Sequence, residues 1–202
     1  KKLEDVVNSY TSRAKTVSNP SQSYVDWANS LLDEGNESVA IEKLETATEM
    51  AMQNPEACVN LALTYIKKNE LEKAPKLLKQ AINTDSQFAR AYLVYGMYYS
   101  AKRDFEKSEH YYSIAAKLDP KLPDVFVNWA VSLVSQGKKE EAQEKFQKAQ
   151  FYNPNNLVAL YLWAVLDIEM DRFQSAREKL SIVMSFQPRN PDASFSMAYA
   201  YY

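Results

Sequence analysis

The chain has 202 residues, with 24 Lys and Arg against 26 Asp and Glu, and a formal net charge of −2 at pH 7. It lacks the basic excess with which nucleic-acid binders neutralise phosphate, so no nucleic-acid partner is expected. Cys58 is the only cysteine, which excludes an internal disulfide, and no apolar run approaches the roughly 18 residues that span a bilayer.

No signal-peptide pattern opens the sequence, and a cytoplasmic location is expected. Only three glycines occur. Tight hairpins and phosphate-cradling loops both use glycine, so helices joined by short turns are predicted. The sequence opens on Lys1 rather than Met and stops at Tyr202 inside an apolar pattern, so a longer parent protein is expected.

In chain order, Leu3, Val6, Val7, Tyr10, Ala14 and Val17 form an amphipathic stripe that predicts a helix over residues 1–20, closed by Asn19 and Pro20. From Ser21 the sequence repeats every 34 residues without a gap, giving segments 21–54, 55–88, 89–122, 123–156, 157–190 and a partial 191–202. The eighth position of each segment holds a small residue: Ala28, Ala62, Gly96, Ala130, Ala164 and Ala198. The twentieth holds Ala40, Ala74, Ser108, Ala142 and Ala176, and the twenty-seventh Ala47, Ala81, Ala115, Ala149 and Val183. Small side chains in register let helix backbones approach closely. The seventh position is large: Trp27, Leu61, Tyr95, Trp129, Trp163 and Met197.

Positions 4, 7, 8 and 11 make one helical stripe and positions 20, 24 and 27 a second, so each segment predicts two helices. Pro55, Pro123 and Pro191 suit the first turn of the first helix, with Asn54 and Asn190 as N-caps before two of them. Gly35 and Gly137 suit a left-handed residue between the helices. Two positions depart from the pattern. Pro75 falls near the start of a second helix, where the loss of one hydrogen bond is expected. Asp167 stands at position 11, where the other segments carry Leu31, Tyr65, Tyr99, Leu133 and Tyr201; a carboxylate there needs a partner or water, and a local ion pair with a neighbouring Arg or Lys is expected.

These columns resemble the tetratricopeptide repeat. Residues 123–156 carry the pattern most fully, in Phe126, Trp129, Ala130, Leu133, Gly137, Ala142, Phe146, Ala149 and Pro154. The resemblance implies an all-α superhelical solenoid of antiparallel helix pairs, with A helices lining an inner surface and B helices outside. It also implies a non-enzymatic protein-interaction scaffold. Residues 1–20 then read equally as the second helix of a preceding, truncated repeat or as a capping helix.

The face of the A helices at positions 2, 5, 6, 9 and 12 is mostly apolar, whereas the outer positions of the B helices are charged. A face that meets only water should be polar, so a covering peptide or protein segment is expected. The residues predicted to line its groove are Asn29, Asn60, Leu63, Arg90, Val94, Met97, Asn128, Val131, Tyr161, Val165 and Ile168. Part of that face must pack between neighbouring repeats; the remainder suits an amphipathic helix or an extended apolar segment. Asn60 and Asn128, both at position 6, are expected to pair with a ligand backbone.

One subfamily, the chaperone-binding co-chaperones, clamps a C-terminal carboxylate with Lys at position 5 and Asn at 9, then Asn at 6, then Lys at 2 and Arg at 6. The matching positions here hold Val25, Asn29, Asn60, Arg90 and Val94. Two of three cations are missing, so a carboxylate clamp is not expected.

No catalytic, metal or cofactor motif stands out. His110, the only histidine, falls on the outer face of a B helix, and Cys58 in a packing column without a histidine beside it. The leading reading is an adaptor for an apolar or amphipathic protein segment. The alternatives are a homo-oligomer assembled through repeat ends, favoured by Phe195, Tyr199, Tyr201 and Tyr202, and the targeting arm of a larger enzyme.

Overall fold

The computed structural model describes residues 20–50 and 54–202. The amphipathic stretch expected over residues 1–20 lies outside them except for Pro20. The chain divides into two compact units, Lys1–Lys102 and Arg103–Tyr202. Among the described residues there are eleven α-helices, one 3-10 turn and no strand.

In the first unit, α1 (Pro20–Asp33) packs on α2 (Glu37–Met50), and α3 (Pro55–Lys67) on α4 (Ala74–Thr84), with α5 (Ala89–Ala101) laid against both α3 and α4. In the second unit, α6 (Phe105–Leu118) packs on α7 (Pro123–Ser135). The pairs α7 with α8 (Lys139–Tyr152) and α9 (Leu157–Glu169) with α10 (Phe173–Phe186) follow, and α11 (Pro191–Tyr201) closes on α10. Helices α1, α3, α5, α7, α9 and α11 are of A type; α2, α4, α6, α8 and α10 are of B type.

The helix boundaries follow from side-chain chemistry. Asn54, Asn156 and Asn190 each accept a hydrogen bond from the backbone N–H three residues on, at Ala57, Ala159 and Ala193 (3.1, 3.0 and 3.0 Å). That satisfies an N–H with no partner inside the helix. At the other end, every A helix followed by a B helix is stopped by a left-handed residue. These are Gly35 (φ 78°), Asn69 (62°), Arg103 (59°), Gly137 (75°) and Asp171 (56°). All five stand at position 15. Glycine marked two of these turns in the sequence; Asn69, Arg103 and Asp171 adopt the same backbone without that mark.

Pro75 differs from its expectation. It is the second residue of α4, behind a 3-10 turn at Leu71–Lys73. No intrahelical N–H bond is due there, so proline removes none. Its carbonyl accepts from Tyr95 Oη at 3.1 Å, tying α4 to α5.

The small columns are where helices touch. Ala28, Ala62, Ala130 and Ala164 are fully buried, as are Ala40, Ala74, Ala142 and Ala176. Ala198, on α11, is exposed. The three tryptophans of position 7 each lie beneath a lysine from position 23 of the same repeat. Lys43 stands 4.7 Å from the Trp27 ring centre, Lys145 4.1 Å from Trp129 and Lys179 4.1 Å from Trp163. The other two full repeats carry Leu61 with Leu77 and Tyr95 with Tyr111 at these positions. The two columns change together because the ring face and the ammonium are complementary.

Candidate functional site

Position 6 of the A helix is central to the expected groove, and the two units treat it differently. In the first unit α1, α3 and α5 bring Asn29, Asn60 and Arg90 together. Asn60 Nδ2 donates to Asn29 Oδ1 at 3.0 Å, and Arg90 Nη2 donates to Asn60 Oδ1 at 3.2 Å. Arg90 Nη1 lies 3.7 Å from Glu56, which also accepts from Gln22 Nε2 at 3.3 Å. The Asn60 amide is buried and engaged at both its donor and its acceptor, so it is not free to pair with a ligand backbone as expected. Arg90 already faces a carboxylate, and Val25 and Val94 are core residues, so nothing here resembles a carboxylate clamp.

Sequence reading missed the roles of Gln22 and Glu56. The signal was present: position 2 of three successive A helices reads Gln22, Glu56 and Arg90, an amide and two opposite charges.

Much of the apolar face in this unit is core. Val94, predicted to line the groove, is 2% exposed and packs with Ala91 and Tyr98, because the neighbouring repeat covers it. Val59 and Leu93 are buried likewise. Leu63 and Met97 pack against the same cluster and remain half-buried.

In the second unit the position-6 amide is not shared between helices. Asn128 Nδ2 donates to the Asp124 carbonyl of its own helix at 2.8 Å. One turn on, Val131 is 41% exposed. Tyr161, Val165 and Ile168 of α9 are half-buried, and Phe195 and Tyr199 at positions 5 and 9 of α11 are exposed. Val127 is core. The eleven predicted residues thus fall into six in the first unit, mostly engaged, and five in the second, all at least partly accessible.

Cys58 is fully buried, and burial pushes its thiol up from the ordinary range, which disfavours the thiolate. His110 is exposed beside Tyr111. No group of three His, Cys, Asp or Glu side chains converges among the described residues. No helix among them is long and apolar enough to cross a membrane.

Models of the tetratricopeptide repeat match residues 31–98 and 89–122. No curated protein matches the sequence. Among solved structures, a thermophilic tetratricopeptide-repeat protein of Thermus thermophilus superposes with a TM-score of 0.81 at 18% identity, over 90% of this chain and 98% of that one. The anaphase-promoting-complex assembly Cut9–Hcn1 gives 0.81 at 13% identity, over 99% of this chain and 40% of that one. YrrB, described as a tetratricopeptide-repeat protein with an unusual peptide-binding site, gives 0.56 at 17% identity, over 94% and 97%. With the 34-residue register and the paired helices, these matches identify the chain as a member of the tetratricopeptide-repeat family.

Proposed function

We propose that this chain is an adaptor in which the A-helix face of the second unit binds an apolar or amphipathic segment of a protein partner. Tetratricopeptide repeats generally serve as protein-interaction scaffolds, and YrrB is described as binding peptide. The observation that carries the finer reading is Val131, an aliphatic side chain 41% exposed on the middle of a well-packed helix and flanked by Asn128. Tyr161, Val165 and Ile168 extend the accessible apolar surface onto the next A helix. Covering such a surface at about 25 cal/mol per Å² would provide most of the affinity. The Asn128 carbonyl oxygen would fix direction.

The test is capture of partners by the full 202-residue chain, mapping of the bound peptide, and comparison of wild type with Val131→Asp. A second reading, self-association, is favoured by Ala198 and Tyr201, which α11 leaves exposed. Light scattering against concentration separates the two.

A further inference from the structure

The three lysines stacked on tryptophan differ in one respect. Lys179 pairs with Asp167 at 2.8 Å and also meets Ser175 Oγ at 2.7 Å. Lys43 pairs with Glu42 at 2.7 Å. For Lys145, no carboxylate lies within ion-pairing distance among the described residues. The reason lies in the sequence: position 11 is Asp167 in the fifth repeat and Leu133 in the fourth. Lys145 is nevertheless half-buried against Trp129, and that burial pushes its ammonium below the ordinary lysine range. Glu109, Glu141 and Glu144 act on it only from beyond ion-pairing distance and do not offset the lost hydration, so the cation gains from an anion brought into contact.

Lys145 also lines a groove. Helices α6 and α8 stand apart over α7 and enclose about 850 Å³. The lining carries Lys117, Lys145 and Lys148 against a single carboxylate, Glu144. Its apolar part is Trp129 with Phe151 and Tyr152, and Phe151 is 78% exposed at the edge. Net positive charge beside an open aromatic ledge is complementary to negative charge beside an apolar side chain.

We propose that this groove on the B-helix side of the second unit binds an acidic peptide segment of a partner protein. One carboxylate would pair with Lys145, a second would reach Lys148, and an adjacent aromatic or aliphatic side chain would rest on Phe151 and Trp129. A peptide fits better than a nucleic acid. The exposed flank of α8 carries Glu140, Glu141 and Glu144, which would repel a continuous phosphate backbone but leaves room for two or three carboxylates. This site lies on other helix faces than Val131, so the two proposals stand or fall separately.

The test titrates the full chain with a fluorescein-labelled Asp-Glu-Phe-Glu-Asp peptide, its neutral Asn-Gln-Phe-Gln-Asn counterpart and a single-stranded oligothymidylate. The indole N–H signals are followed by NMR. The expected result is binding of the acidic peptide at least tenfold tighter than the other two, weakened by salt, with the Trp129 indole signal moving most. Lys145→Gln should weaken it about tenfold. Lys148→Gln, at an exposed site, should weaken it about threefold and serves if the first variant fails to fold. Val131→Asp should leave it unchanged. Equal binding of the neutral peptide, tighter binding of the oligothymidylate, affinity indifferent to both lysine changes, or no movement of the Trp129 signal would overturn the proposal.

Discussion

Lys179 Nζ lies 2.8 Å from Asp167 Oδ2, with the carboxylate 2% and the lysine side chain 13% exposed. Ser175 Oγ donates to the same oxygen at 2.7 Å. A carboxylate in a packing column is therefore neutralised by the next helix, and the lysine that does so also covers Trp163. Removing one partner of a buried pair leaves the other charge unsatisfied. Lys179→Met should destabilise the second unit by about 3 kcal/mol, whereas Asp167→Leu with Lys179→Met should lie within about 1 kcal/mol of wild type. Urea unfolding followed by tryptophan fluorescence checks both, and equal losses in the single and double variants would contradict this account.

The left-handed column gives opposite outcomes at two of its members. A Cβ added at Gly137 would meet no atom within 4 Å, so its cost is backbone strain alone. Gly137→Ala should destabilise by about 1 kcal/mol. Arg103 already bears that strain at φ 59°. Arg103→Gly should stabilise by about 0.5 kcal/mol, the relief being partly offset by the freer unfolded chain. Thermal unfolding of the two variants should move in opposite directions.

Tyr65 Oη donates to Glu45 Oε1 at 2.6 Å, joining α3 to α2. Burial first, and then that acidic acceptor, hold the Tyr65 hydroxyl well above its usual range. In the unfolded chain it ionises near pH 10, while in the folded chain it keeps its proton. Above about pH 10 the unfolded state then binds fewer protons, so stability is intact below that pH and falls as pH rises beyond it. Tyr65→Phe should flatten the alkaline decline, read as the shift in unfolding midpoint between pH 9 and pH 11.

The fold was legible because packing between repeats imposes a period. Ala28, Ala62, Ala130 and Ala164 recur because helix backbones meet there, and Pro55, Pro123 and Pro191 because a first turn leaves N–H groups unbonded. Val94 shows where that reading stopped. Period alone does not separate an apolar position facing a ligand from one facing the neighbouring repeat, and Val94 is core whereas Val131 is accessible. Asn60 was misread for a related reason. Its partners Asn29 and Arg90 lie on adjacent A helices about one repeat away, and only the folded register brings the three amide and guanidinium groups together. The tryptophan–lysine pairs were legible in principle, since positions 7 and 23 change together, but seeing them requires comparing two columns rather than reading one.

The role of the A-helix face is tested most directly by the affinity of the mapped partner peptide for wild type, Asn128→Ala, Val131→Asp and Glu106→Ala, with helical content followed by circular dichroism. Glu106 lies exposed on α6 and serves as the outer-face control. A charge placed in an apolar contact should cost well over 1.4 kcal/mol, so Val131→Asp should weaken binding at least tenfold with helicity unchanged. Asn128→Ala should lose on the order of 1 kcal/mol, the net worth of one hydrogen bond. Glu106→Ala should bind as wild type. If Val131→Asp binds as wild type while Glu106→Ala does not, recognition belongs to the B-helix side, and the apolar residues of the A helices serve packing alone.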